Sequence, residues 1–198
     1  MKVSEYMART GVPDKFLLAN LEDTDFFKKL NISEENKKRY TAHYERCKKI
    51  VEDGVYGVLL EGIPGSGKSW IGAALLREFL KKGKRAARTT TPEILDYFFK
   101  DFQGLRERYT IADVLFIDDL TKMGFQTDSN INIIERLIRL REDEGKITIF
   151  SCFSEADIVA RFSKDVHRLI LGTAIHLVLP EVDLRQEIIS KYADERLK

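Results

Sequence analysis

The stretch Gly62-Ile63-Pro64-Gly65-Ser66-Gly67-Lys68-Ser69 satisfies the pattern G-x-x-x-x-G-K-[ST] at every fixed position. A loop of this kind works in one setting, between the end of a strand and the start of a helix. Glycines at 62, 65 and 67 let backbone N–H groups turn toward an anion where a Cβ would clash or forbid the dihedrals. Lys68 can then reach the outer phosphates of a nucleoside triphosphate, and Ser69 offers a hydroxyl to Mg²⁺. The helix that starts near Gly67 aims its positive end at the same place. The flanks agree with this setting: residues 56–61 are an apolar run of strand length, and residues 70–80 carry apolar side chains at helical spacing. The expected ligands are ATP and Mg²⁺. The nucleotide-binding set is Gly62, Ile63, Pro64, Gly65, Ser66, Gly67, Lys68, Ser69 and Trp70, with Ser69 also on the metal.

A second feature fixes where the metal's other partner comes from. Val114-Leu115-Phe116-Ile117 is a continuous apolar run that ends in Asp118-Asp119, as expected of a parallel strand buried on both faces. In open α/β sheets ligands sit at the carboxyl ends of the strands, which puts Asp118 beside the phosphate loop. Asp118 is therefore the expected Mg²⁺ partner through water, and Asp119 the residue that orients the attacking water.

Other segments alternate between strand and helix. Ser33 caps a helix through Tyr40, Tyr44, Cys47, Ile50 and Val51 that Gly54 stops. Residues 86–90 read as a short strand, and Thr91-Pro92 starts a helix with threonine as cap and proline at its first position. Its Ile94, Leu95, Phe98, Phe99 and Phe102 have the spacing of a core stripe, the other reading being an aromatic that stacks on a base. A helix over 129–144, a strand over 147–152, two short helices near 156–162 and 165–171, a strand over 174–179 and an amphipathic helix over 182–197 follow. The class is α/β, a mostly parallel five-stranded sheet with helices on both faces. Residues 1–32 read as an N-terminal linker segment packed on a domain of residues 33–198.

The chain's 198 residues suit one such domain. The formal charge of +1 gives no global attraction to polyanions, so a nucleic-acid site would have to be a local patch. Lys81, Lys82, Lys84, Arg85 and Arg88 form the candidate patch for single-stranded DNA, the other reading being cations that complement a helix C-terminus. Cys47 and Cys152 show no metal-binding or disulfide spacing, which fits a reducing, cytoplasmic setting. No apolar run reaches the length of a membrane span.

Taken together, several stretches resemble the AAA+ ATPases of the DnaC/DnaI helicase-loader and IstB type. They are Thr10-Gly11-Val12-Pro13-Asp14-Lys15-Phe16 through Leu21-Glu22-Asp23, Thr91-Pro92-Glu93-Ile94-Leu95, Asp118-Asp119-Leu120 and Leu140-Arg141-Glu142-Asp143. The resemblance implies a slow ATPase that forms homo-oligomers with ATP and loads a replicative DNA helicase. It implies that Arg168, in His167-Arg168-Leu169, is an arginine finger acting on a neighbouring subunit's ATP. It also implies that Arg185, in Val182-Asp183-Leu184-Arg185, is the sensor-2 arginine at the nucleotide. The other reading of each arginine is a solvated charge on a polar helix face. Catalysis would then rest on Lys68, Asp119 and Arg168.

Three departures from the family are visible. Cys152 stands at the first-sensor position, where an asparagine is usual, with Ser151 the nearby polar side chain. Asp119 replaces the commoner glutamate. About 50 residues precede the first core strand, too few for the loaders' extra helicase-gripping domain, which opens the choice of partner. Two rival functions share the same phosphate loop. One is an IstB-like ATPase partner of a transposase; the other is a nucleotide-gated binding module without useful turnover.

Overall fold

Apolar runs of strand length alternate with helical segments along this chain, so the natural solution is a sheet whose crossovers are helices. The computed structural model describes residues 3–23, 26, 30–54, 57–122 and 127–196. Five strands, β1 (Gly57–Glu61), β2 (Ala86–Thr90), β3 (Val114–Asp118), β4 (Ile147–Cys152) and β5 (Ala174–Val178), form one sheet in the order β2-β3-β4-β1-β5. Every neighbouring pair is parallel. The helices are α1 (Val3–Arg9), α2 (Glu34–Asp53), α3 (Lys68–Lys81), α4 (Thr91–Lys100), α5 (Phe102–Leu105), α6 (Asp128–Asp143), α7 (Glu155–Arg161), α8 (Lys164–Thr173) and α9 (Arg185–Arg196). The order places β1 between β4 and β5, with the C-terminal end of β3 one strand further along.

The two-residue period of β1 divides the core. Val58 and Leu60 pack on one face with Tyr40 and Tyr44 of α2 and Trp70, Ala74 and Leu75 of α3. Leu59 packs on the other face with Phe150 of β4, Ile134 of α6, Ile158 of α7 and Val166 of α8. Residues ahead of α2 contribute to the first layer, with Met7, Ala19 and Leu21 all buried in it.

Two local expectations shift by a residue or more. The cap of α4 is Thr90 rather than Thr91. Glu93 lies three residues beyond Thr90, so the Thr90 hydroxyl accepts from the Glu93 N–H while the Glu93 carboxylate accepts from the Thr90 N–H at 2.8 Å. Thr91 is instead buried and donates its hydroxyl to the Leu120 carbonyl at 2.8 Å, tying α4 to the end of β3. The last helix begins at Arg185, because residues 182–184 run across the phosphate loop first. On α4, Ile94 is buried and Leu95 and Phe98 pack on the core, whereas Phe99 is exposed.

Among the described residues one charged side chain is wholly internal. Arg141 of α6 donates to the carbonyls of Tyr109, Ala112 and Ile147 at 2.6, 2.8 and 2.7 Å, and to the Thr148 hydroxyl at 3.1 Å. Burial lowers its pKa to about 10. It acts as a multiple donor that gathers the carbonyls around the starts of β3 and β4.

The packing of α3 against the sheet permits a direct test. A Cβ placed on Gly72 would lie 2.4 Å from the ring of Phe116, which is itself buried at the centre of β3. Gly72→Ala is expected to destabilise the fold by about 1–3 kcal/mol despite the better helix propensity of alanine. An unchanged midpoint of urea unfolding would contradict this packing.

Candidate nucleotide-binding site

The phosphate loop leaves β1 at Gly62, whose N–H donates to the Cys152 carbonyl at 3.3 Å, and enters α3 at Lys68. Gly65 and Gly67 take φ values of +91° and +89°, the left-handed region in which a side chain is strained. Gly65 has a second reason to be glycine, since a Cβ there would stand 2.2 Å from a carboxylate oxygen of Asp183. The Leu184 N–H donates to the Gly65 carbonyl at 2.9 Å, and the Tyr40 hydroxyl donates to the Ser66 carbonyl at 3.0 Å. The loop is thus held from α2 and from the segment before α9.

Lys68 points back along this loop, its Nζ donating to the carbonyls of Gly62 and Ile63 at 2.7 and 2.8 Å. Burial lowers its pKa below the ordinary lysine value, and the carboxylates of Asp119 and Asp118 oppose that shift. Ser69 donates to Asp118 Oδ1 at 3.0 Å. The same oxygen accepts from the Ser151 hydroxyl at 2.7 Å, and Asp118 Oδ2 accepts from Arg88 of β2 at 2.9 Å. The Ser151 oxygen in turn accepts from the Asp119 N–H at 2.8 Å. Asp119 therefore leaves the strand with φ of +55°, a left-handed turn adopted by a non-glycine residue, and stands exposed in the cleft.

Around these groups lies a cleft of about 650 Å³ lined among others by Pro64, Gly65, Lys68, Ser69, Asp119 and Arg185. A triphosphate with Mg²⁺ fits it on three observations. The glycines keep the cradle free of Cβ atoms; Ser69 and Asp118 bring together the hard oxygen donors that Mg²⁺ prefers; and Ser66 Oγ is buried with no hydrogen-bond partner among the described residues.

The structure brings most of the expected residues together and adds others. Trp70 borders the cleft, but its indole is buried, stacked on Phe26 at 5.7 Å and edge-on to Phe16 at 6.5 Å. Arg185 lines the cleft and pairs with Asp183 at 3.3 Å. Arg168 is exposed on α8 and is not among the residues that line this chain's own cleft. Cys152 is buried, which pushes its thiol up to about 12, and the residue after it, Phe153, is the one that lines the cleft. The sequence pattern did not single out Arg88, which pairs with Asp118, or Arg161 and Lys15 at the cleft wall. For Arg88 the signal was available: an arginine in a strand next to one that ends in a carboxylate.

Four of the five cations of the candidate DNA patch are engaged within the chain. Lys81 pairs with Glu22 and Glu78, and Lys82 donates to the Val51 and Glu52 carbonyls at the end of α2. Arg85 pairs through two nitrogens with Asp113, and Arg88 with Asp118. Lys84 is exposed.

No protein-family model matches the sequence, and no curated protein matches it. Solved structures do. The DnaC helicase loader superimposes with a TM-score of 0.70 at 23% identity, covering 85% of this chain and 100% of that one. DnaI gives 0.69 at 16% identity, covering 88% and 95%. The replication initiator DnaA bound to AMPPCP and single-stranded DNA gives 0.64 at 19% identity, covering 89% of this chain and 55% of that one, so this chain spans about half of that structure's length. What these structures share with this chain is the fold, here a five-stranded parallel sheet with helical crossovers and a glycine-rich loop after β1.

Proposed function

We propose that this chain binds ATP with Mg²⁺, hydrolyses it slowly, associates head to tail with its own copies when ATP is bound, and acts in the cytoplasm as a helicase loader in DNA replication. The observation that carries the reading is the hydrogen-bonded set Ser69, Asp118 and Ser151 beside a glycine cradle, in a fold similar to those of the DnaC helicase loader and DnaI. In this reading Lys68 neutralises the β and γ phosphates. Asp118, fixed by two hydroxyls and Arg88, holds the metal's water shell, and Asp119 orients the attacking water. Mg²⁺ supplies charge neutralisation at the phosphates when bound. Arg185 contacts the nucleotide from the same chain, and single-stranded DNA and a replicative helicase are the partners.

The experiment is ATP turnover with and without single-stranded DNA, together with co-purification against a purified replicative helicase. Turnover with helicase capture supports the loader. Turnover with capture of a transposase instead would favour the IstB-like role, and tight ATP binding without turnover the nucleotide-gated module.

The rate itself is predicted. The Asp119 carboxylate is one methylene shorter than a glutamate, and Cys152, at the position where an amide could hold water and phosphate together, is a buried thiol and a weak hydrogen-bonding group. Phosphoryl transfer depends on positioning, so basal turnover is expected well below about 10 s⁻¹ with ATP still bound tightly. A steady-state rate at or above that value would contradict the slow-switch reading.

A further inference from the structure

On the sheet face opposite α3, four ionisable side chains from four elements meet outside the nucleotide cleft. Glu61, the last residue of β1, faces the same side as Leu59, and His176 of β5 is in register with Leu59. His176 Nε2 lies 2.8 Å from Glu61 Oε2, and its Nδ1 lies 3.9 Å from Glu155 Oε2 on α7. The other oxygen of Glu155 is 2.8 Å from His167 Nε2 on α8. All four are half-buried, and none lines the cleft. Among the described residues neither carboxylate has a lysine or arginine within ion-pair distance. With both imidazoles neutral the group carries two negative charges, one of them, Glu155, in the first turn of α7.

We propose that Glu61, Glu155 and His176 form a binding site for a first-row divalent cation, Zn²⁺ in particular. One ligand atom from each residue lies within 4.8 Å of the others. Bonds of about 2.0–2.2 Å in a tetrahedral arrangement require ligand atoms about 3.4 Å apart. One nitrogen of His176 and one oxygen from each carboxylate lie within 4.8 Å of one another, so side-chain rotations that draw them together complete the site. Two carboxylates with an imidazole give three protein ligands and leave a position for water. His167 then serves as the outer partner that orients Glu155, as hydrogen bonds to ligating carboxylates commonly do. An imidazole ligand selects Zn²⁺ over Mg²⁺ and Ca²⁺, so the metal carried by a nucleotide does not compete for it.

Such an ion would bind the residue immediately before the phosphate loop to β5 and to α7, and through His167 to α8. It is independent of whether the cleft turns over ATP.

Co²⁺ titrated into the full chain without nucleotide or Mg²⁺ tests the site. The expected result is visible ligand-field absorption saturating at one equivalent, bleached by Zn²⁺ but not by Mg²⁺. His176→Ala and Glu155→Ala should each abolish it, and His167→Ala should weaken Zn²⁺ binding in calorimetry by about 10–100-fold. His43→Ala, which removes the third histidine, and Ser69→Ala, which removes the hydroxyl at the phosphate loop, should leave it intact. If His176→Ala fails to fold, as read by its melting curve, Glu155→Ala decides. The proposal is overturned by wild-type protein that gives no such spectrum, by Glu155→Ala protein that binds as tightly as wild type, or by a signal that disappears in Ser69→Ala.

Discussion

Lys68→Ala is expected to remove ATP binding, with calorimetry showing at least about a 100-fold loss of affinity. Two charge-assisted hydrogen bonds, to the β and γ phosphates, contribute about 1.5–3 kcal/mol each, and each 1.4 kcal/mol is a factor of ten in Kd. In the proposed reading the lysine is the cation that meets the outer phosphates, and its surroundings are ready for exchange of partners. Its Nζ rests on the carbonyls of Gly62 and Ile63, which are neutral acceptors. A triphosphate offers charged ones in the same loop, and a partly desolvated ammonium gains more from a charged acceptor than from a neutral one. Alanine also leaves two loop carbonyls without their donor, so the variant's unfolding should be measured beside its binding. A folded Lys68→Ala protein with wild-type affinity for ATP and Mg²⁺ would remove the phosphate loop from the mechanism.

The residues that make this site differ in how far the sequence alone revealed them. Gly62 to Ser69 were legible because a fixed spacing of glycine, lysine and hydroxyl serves one local geometry, and nothing distant is needed to form it. Asp118 was legible for a related reason: a continuous apolar run ending in a carboxylate places that group at the rim of a parallel sheet. Arg88 and Ser151 were not, because their roles depend on strand order. Each meets Asp118 only because β3 lies between β2 and β4, and no local pattern announces that neighbourhood. Arg141 shows the same limit within the fold. It stands in a charged run that reads as the surface end of a helix, and tertiary packing buries it among backbone carbonyls. The cap at Thr90 was legible in principle, since Thr90 and Glu93 have capping-box spacing, but the adjacent Thr91-Pro92 carries a competing start signal.

Arg168→Ala is expected to lower ATP turnover by about 10³-fold or more while leaving ATP affinity unchanged, the loss typical of a finger that acts only on transition-state charge. Geometry favours action in trans. Arg168 is exposed on α8 and away from the cleft of its own chain, whereas Arg161, one short helix earlier, lines that cleft. If Arg168 reaches a γ-phosphate, the phosphate belongs to another copy. Such a contact joins two different surfaces and repeats head to tail, giving rings or open spirals rather than two-fold dimers. Turnover per protomer should then rise with protein concentration. Two inactive variants should also complement each other when mixed. A Lys68→Ala protomer, which cannot hold ATP but keeps its arginine, should restore hydrolysis by an Arg168→Ala protomer that holds ATP but lacks the finger. Arg161→Ala gives the contrast, because a group acting within its own chain loses activity that no partner returns. Wild-type rates from Arg168→Ala at every protein concentration, or mixtures no more active than their components, would exclude the trans finger.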